Sequence, residues 1–243
     1  DLHLLSRRQR QMCIRDRDFV SHYSDLWTSG KAMFVCLNKV TCVRMYNYVQ
    51  EYWKAEIKIL KASLKYASQQ EALELERKIK WMEETEMAVV ISQEQNEIQT
   101  FKKWDLDIKT HRMKMEKREL DKEFKDSKNP LRVVFVCAMW LTGFDVKCLS
   151  CLYLDKPLKA HTLMQTIARA NRVSEGKSNG LIIDYIGIVK ALRKALADYT
   201  ANADGNGGSD PTVDKDELIA RIIETIGKAD AFLSDRLSSQ VQH

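Results

Sequence analysis

Residues 131–155 read LRVVFVCAMWLTGFDVKCLSCLYLD. Two apolar runs, LRVVFVCAMW (131–140) and CLSCLYLD (148–155), enclose a turn-forming TGFD. Neither run alternates apolar with polar residues, so both faces of each strand must be covered. Three further runs share that character: KAMFVCL (31–37), MAVVIS (87–92) and NGLIIDYIG (179–187). Helical segments separate them, among them KVTCVRMYNYVQEYW (39–53), whose apolar residues recur at helical spacing. Buried strands alternating with helices predict an α/β fold with one parallel sheet covered on both sides.

Composition sets the bounds. The 243 residues, 44% hydrophobic and 30% charged, suffice for one large domain or one domain with appendages. No run of apolar residues is long enough to span a membrane, and the N-terminus has arginines without the apolar core of a signal peptide. Six cysteines without framework spacing suggest reduced thiols in a cytoplasm. A formal charge of +5 is compatible with nucleic acid but does not argue for it alone.

Four segments follow from the pattern. Residues 1–17, DLHLLSRRQRQMCIRDR, are arginine-rich and lack clear periodicity. They are expected to be either non-native read-through of a sequencing adapter, or disordered, or a native basic arm, in each case without a site. Residues 18–199 hold the sheet domain. Residues 200–212, TANADGNGGSDPT, form a linker. Residues 213–243 start a C-terminal helical region with the amphipathic VDKDELIARIIETIGKADAFL. Within the sheet domain, 54–80 and 102–125 mix charges of both signs. They are expected to be solvated helix faces laced with i,i+4 pairs, the other reading being a DNA-tracking face.

Open parallel sheets bind ligands beyond the carboxyl ends of their strands. The TGFD loop and the loop KPLKAHT (156–162) are expected to emerge together at that edge, so Thr142, Gly143, Asp145 and the start of the next helix can meet one ligand. Gly143 permits close backbone approach, and Asp145 can accept from a ribose hydroxyl. In that helix, LMQTIARANRV (163–173), Gln165, Arg169 and Arg172 stand at i, i+4 and i+7 on one face, while Leu163, Ile167 and Ala170 can pack on the sheet. Two guanidiniums on one ridge repel unless an anion joins them, and phosphate matches the arginine fork. The plainer alternative is an amphipathic helix with solvated arginines.

Other candidates read as structural. Cys148 and Cys151 lie in an apolar strand with no second metal-ligand pair nearby, so no metal site is expected. His161, ahead of a helix start beside Thr162, suits capping or support of the site. Trp140 can anchor its loop against the core or stack on a base. Asp184 ends a strand near the same edge, its role open.

TGFD followed by QTIARANR resembles motifs V and VI of superfamily 2 helicases and translocases. The longer run VVFVCAMWLTGFDVKCLSCLYLDKPLKAHTLMQTIARANRV (133–173) and GLIIDYIG (180–187) resemble the R (restriction, motor) subunit of type I restriction enzymes. GKAMFVCLNKVTCVRMYNYV (30–49) resembles motif IV, the opening of the same lobe. The resemblance implies a RecA-like parallel sheet flanked by helices, with charged helical insertions and a C-terminal helical extension. It implies the second of two lobes that clamp ATP in a DNA translocase. Arg169 and Arg172 would then be arginine fingers at the γ-phosphate, with Gln165 beside them and Gly143 and Asp145 near the ribose. Thr142, Asn38 and Lys39 would contact the DNA backbone.

The resemblance also carries departures. Lys147 stands where many relatives have proline after FDV. No G-x-x-x-x-G-K-[ST] occurs, and SGK (29–31) precedes a strand instead of following one. No D-E-x-H-type motif or nuclease signature is present either. The chain therefore reads as a fragment of an ATP-dependent site-specific deoxyribonuclease, expected to be inactive alone. Mg2+ would be held mainly by the companion lobe. Expected partners are double-stranded DNA, methylation and specificity subunits, the first RecA-like lobe and a nuclease domain, in the cytoplasm and without a membrane. Two alternatives stand beside this reading: a lobe of another superfamily 2 helicase, and a nucleic-acid or partner-binding module without nucleotide chemistry.

Overall fold

Five strands pair in parallel in the order β2-β3-β1-β4-β5: β1 (Lys31–Cys36), β2 (Glu86–Val90), β3 (Leu131–Val136), β4 (Leu149–Asp155) and β5 (Leu181–Asp184). The computed structural model describes residues 2–170, 180–188, 190 and 193; the side chains of residues 2–13, 160, 161 and 169 lie outside that description. Each apolar run picked out in the sequence holds one strand. The run at 131–140 is strand only to Val136, after which the chain turns away into the TGFD loop.

Period-two side-chain alternation divides the core. On one face Phe34 of the central strand stacks on Tyr153 at 5.8 Å, with Phe135 at 5.9 Å on its other side. Helix α1 (Leu2–Asp25) lays Phe19 edge-on against both Phe34 (5.6 Å) and Tyr153 (4.6 Å). Helix α2 (Lys39–Ser63) adds Cys42, Val43, Met45, Val49 and Trp53 to the same cluster. The residues of opposite parity, such as Met33, Val35, Val134 and Leu152, are equally buried. Helices α6 (Leu120–Lys125) and α7 (Ala160–Ala170) contact β3, β4 and β5, and bury Leu120, Phe124, Leu163, Ile167 and Ala170. Both faces of the central strands are thus covered, which is why these strands read as unbroken apolar runs. The fold is a five-stranded parallel sheet flanked by helices on both faces.

The charged segments are helical. Residues 54–80 comprise the end of α2, a 3₁₀ turn (Leu64–Tyr66) and most of α3 (Gln69–Glu84), which opens with a Ser68–Glu71 capping box. The indole N–H of Trp53 donates to the Met82 carbonyl at 2.9 Å and ties the two helices together. Residues 102–125 comprise the end of α4 (Glu97–Lys102), α5 (Lys109–Lys117) and α6.

Their ion pairs correct the expected i,i+4 lacing. Lys80–Glu84, at 3.9 Å, has that spacing and is long. The short pairs mostly bridge separate elements: Lys61–Glu83, Lys78–Asp25, Arg112–Glu97 and Arg118–Glu86, at 2.6 to 2.7 Å. Tertiary packing, which brings charges from distant positions together, replaces the local helical pairing that spacing suggested.

Helix α1 runs without a break across residue 17, where the sequence suggested a change of segment. The Arg15 guanidinium pairs with Asp155 at the end of β4, and Asp16 is fully buried. The compact unit that holds the sheet runs to Ile188, and its expected limit at residue 199 lies outside the described residues. The expected linker at 200–212 and the helical region at 213–243 lie outside the described residues.

Candidate functional site

The carboxyl ends of the strands form one rim of the sheet. At the end of β1, Asn38 caps α2: its Oδ1 accepts from the Thr41 backbone N–H at 2.8 Å and from the Thr41 hydroxyl at 3.0 Å. Lys39 begins the helix and pairs with Glu94 at 2.6 Å. Two of the three expected DNA contacts, Asn38 and Lys39, therefore sit at this rim, each already engaged by a local partner. The ends of β3 and β4 are joined by Lys156, whose ammonium donates to the Cys137 carbonyl at 2.7 Å. Beside it, burial raises the Asp155 carboxyl above its ordinary pKa, opposed by the Arg15 guanidinium. Lys156 and Asp155 went unmarked in the sequence because a charge ending an apolar run looks like a strand terminus.

The connection from β3 to β4 crosses the sheet. It starts at the carboxyl rim, where Leu141 N–H donates to the Ala138 carbonyl at 3.4 Å. It ends at the amino rim, where Leu149 N–H donates to Val146 at 3.4 Å and the Cys148 carbonyl accepts from Lys31 at 2.9 Å. Between these anchors Trp140 has φ +68°. For a bulky residue that conformation costs about 1–3 kcal/mol and persists only when its surroundings fix it. The surroundings here are rings: Phe144 stacks on Trp140 at 4.2 Å and Phe124 at 5.8 Å. Trp140 thus has the anchoring role. Lys125 places its ammonium 4.7 Å from the Phe144 ring centre.

Thr142, Gly143 and Asp145 are exposed on this loop. Gly143 has φ +71° and open space where a β-carbon would stand. Glycine is needed there for the turn, and the backbone is accessible to a ligand. An exposed carboxylate two residues on suits a sugar hydroxyl.

Helix α7 leaves the carboxyl rim after β4 and runs back across the sheet. Its entry is set by Leu163 N–H donating to the Lys159 carbonyl at 2.8 Å, and Thr166 Oγ1 donates to the Thr162 carbonyl at 2.7 Å. His161 and Thr162 lie inside the helix, not ahead of it, because Ala160 is already helical. Eleven residues carry the chain about 16 Å along the axis. Leu163, Ile167 and Ala170 face the sheet as their spacing predicted, and Gln165 is exposed.

Ala170 ends against Gly180, just ahead of the first residue of β5. The main chain of Arg169 therefore lies at the amino rim, as does that of Asp145 next to Val146. This corrects the expected convergence at the carboxyl edge. The helix and the crossover loop both start at that edge, and their length carries the candidate residues to the opposite one. Arg172 lies outside the described residues.

The remaining candidates are structural. Asp184 accepts from the backbone N–H groups of Ile186 (3.1 Å) and Gly187 (3.0 Å) in the turn after β5. Cys151 is buried in β4, and the Cys148 thiol donates to the Phe124 carbonyl at 3.4 Å. Among the described residues no group of three His, Cys, Asp or Glu could hold a metal ion. No described helix is long and apolar enough to cross a membrane. At the amino rim Lys31 is buried, donates to the Glu123 carbonyl at 2.9 Å, and has its pKa lowered to about 8 by desolvation.

Known proteins are similar to this chain in sequence. Residues 28–187 match the family model of type I restriction enzyme subunit R domain 3. The chain is similar to the HindI endonuclease subunit of a type I restriction enzyme from Haemophilus influenzae, 55% identical over 97 residues, which are 39% of this chain and 9% of that one. It is 34% identical over 178 residues to the MjaVIIP endonuclease subunit assigned to a type I restriction enzyme in Methanocaldococcus jannaschii, covering 72% of this chain and 14% of that one. It is 40% identical over 88 residues to the SauCOLORF180P endonuclease subunit of Staphylococcus aureus, covering 36% and 9% respectively. The chain thus spans 9% to 14% of the length of these relatives.

Proposed function

Because the chain belongs to the R subunits of type I restriction enzymes, matching domain 3 of that subunit over residues 28–187, we propose that it supplies the second motor lobe of an ATP-driven DNA translocase. The observation that carries this reading is the separation of the candidate residues between two rims of one sheet. Asp145 and the main chain of Arg169 occupy the amino rim, and Asn38 and Lys39 the carboxyl rim. A lobe of this kind can meet nucleotide on one side and a nucleic-acid track on the other without the two competing for space.

Arg169, whose main chain lies at the amino rim, acts together with Arg172 as an arginine finger on ATP held by the companion lobe, with Gln165 hydrogen-bonding beside them. Their guanidiniums stabilise charge as it develops on the transferred phosphoryl group, an effect of about 10³–10⁵ in rate in related enzymes. Gly143 offers its backbone to the nucleotide, and Asp145 accepts from the ribose. Mg2+ is held mainly by the first lobe. At the carboxyl rim, Asn38 and Lys39 contact the phosphodiester backbone of double-stranded DNA, and Thr142 on the crossover loop adds a further backbone contact, which holds the track without reading sequence. Recognition of the DNA site falls to a specificity subunit, assembled with a methylation subunit and the nuclease domain in the cytoplasm.

Arg169→Ala in the complete R subunit tests this. ATP turnover should be abolished and DNA affinity should change little. Turnover at the wild-type level would reject the finger assignment. The isolated 243-residue chain should hydrolyse no ATP with magnesium present.

A further inference from the structure

Among the described residues three non-glycine positions have positive φ: Asn96, Asp105 and Trp140. Asparagine and aspartate tolerate that conformation, and tryptophan does not. Trp140 is also the residue where the crossover loop, rooted beside the Lys156–Cys137 contact at the carboxyl rim, sets out for Asp145 at the amino rim. Residues 137–148 have no helix or strand of their own to hold a path. Leu141 and Val146 are buried along this path, and its aromatic tie is the ring column Phe124–Trp140–Phe144, with centroid spacings of 5.8 and 4.2 Å. Phe124 is buried on α6 and fixed to the body of the sheet, so the column clamps the loop to a rigid element.

We infer that Trp140 is a positioning residue that couples the two rims, its clamped ring transmitting a change at the carboxyl rim to Gly143 and Asp145. A loop pinned between its ends to a rigid element keeps a single path, so the position of its root fixes the position of Gly143 and Asp145. A loop lacking the clamp absorbs the same displacement locally. This rests on the motor reading above, in which DNA engages one rim and nucleotide the other.

The test is the ratio of DNA-stimulated to DNA-free ATP turnover in the complete R subunit. Trp140→Ala should lower that ratio more than tenfold, with DNA-free turnover falling less than threefold. Trp140→Phe, which restores a ring to the column, should recover most of the ratio. Trp140→Gly, suited to the positive φ, should melt above Trp140→Ala and couple no better. Should Trp140→Ala fail to accumulate folded, Phe144→Leu carries the test, removing one ring without touching the strained backbone, and should also lower the ratio. An unchanged ratio in these variants overturns the inference, and so does a parallel fall of both rates that follows the melting temperature without rescue by phenylalanine. Arg169→Ala run alongside separates the two claims. If it leaves turnover intact, the motor reading itself has failed. If it abolishes turnover and Trp140→Ala keeps the ratio, the coupling role alone is wrong.

Discussion

A β-carbon placed on Gly180 would lie 1.9 Å from the carbonyl oxygen of Ala170. The end of α7 and the approach to β5 are therefore in backbone contact, and no side chain can come between them. Gly180→Ala must push the helix end away from the sheet. Overpacking of this kind costs about 1–3 kcal/mol. Urea unfolding of the variant should show a midpoint lowered accordingly with an unchanged m-value, and an unchanged midpoint would contradict the contact.

Glu97 and Arg112 form a two-pronged pair, at 2.9 and 2.7 Å, with both side chains largely buried. Arg112 also donates to the Ile91 carbonyl at 3.1 Å, beyond the end of β2. The pair holds the Glu97 carboxyl below its ordinary pKa, chiefly through the Arg112 hydrogen bonds. Removing one partner strands the other charge, so Glu97→Ala should cost about 3 kcal/mol or more. A double variant replacing both residues with apolar ones should cost less than the sum of the singles, as a double-mutant cycle would read directly.

His111 is buried edge-on against Tyr46, with ring centres 4.7 Å apart. Desolvation lowers its pKa from 6.5 to about 4. The folded state therefore binds this proton less readily than the unfolded chain, and protonation favours unfolding. Its contribution holds above pH 6.5 and is lost as pH falls from there toward 4. Replacement by an apolar residue abolishes that loss. The melting temperature of His111→Leu, relative to wild type, should rise progressively over that interval; a constant difference would show that the histidine does not titrate as a buried group.

Lys39 pairs with Glu94, which is more than half exposed. On the proposed reading the ammonium exchanges that carboxylate for a DNA phosphate. In the complete R subunit, Lys39→Ala should weaken DNA binding on all sequences alike and reduce the slope of log K against log salt by about one. A slope equal to that of wild type would leave Lys39 as a surface ion pair only.

The strands were legible because burial on both faces leaves them apolar beyond their first one or two positions: KAMFVC, EMAVV and LRVVFV each carry a single charge, Lys31, Glu86 or Arg132, near the start. The sheet-facing stripe of α7 was legible for a related reason, since Leu163, Ile167 and Ala170 recur at helical period. The ion pairs were not. Arg118 meets Glu86 and Glu123 across intervals of 32 and 5 residues, and neither spacing has a local meaning. Trp140 could be seen as an anchor, but its φ could not be foreseen, because the neighbouring Gly143 already accounted for a turn.

Residue types and their periods alone determined that this chain builds a parallel, doubly covered sheet, and that its motif helix turns an apolar face inward and Gln165 outward. Local covalent and solvation preferences suffice for that much. Which rim receives Asp145 and Arg169 was decided only in three dimensions. It depends on how far a helix of eleven residues and an irregular crossover travel across strands half a dozen residues long, and on the Ala170–Gly180 contact that ends the journey. Distances of that kind arise from packing between segments far apart in the chain, where no local pattern records them.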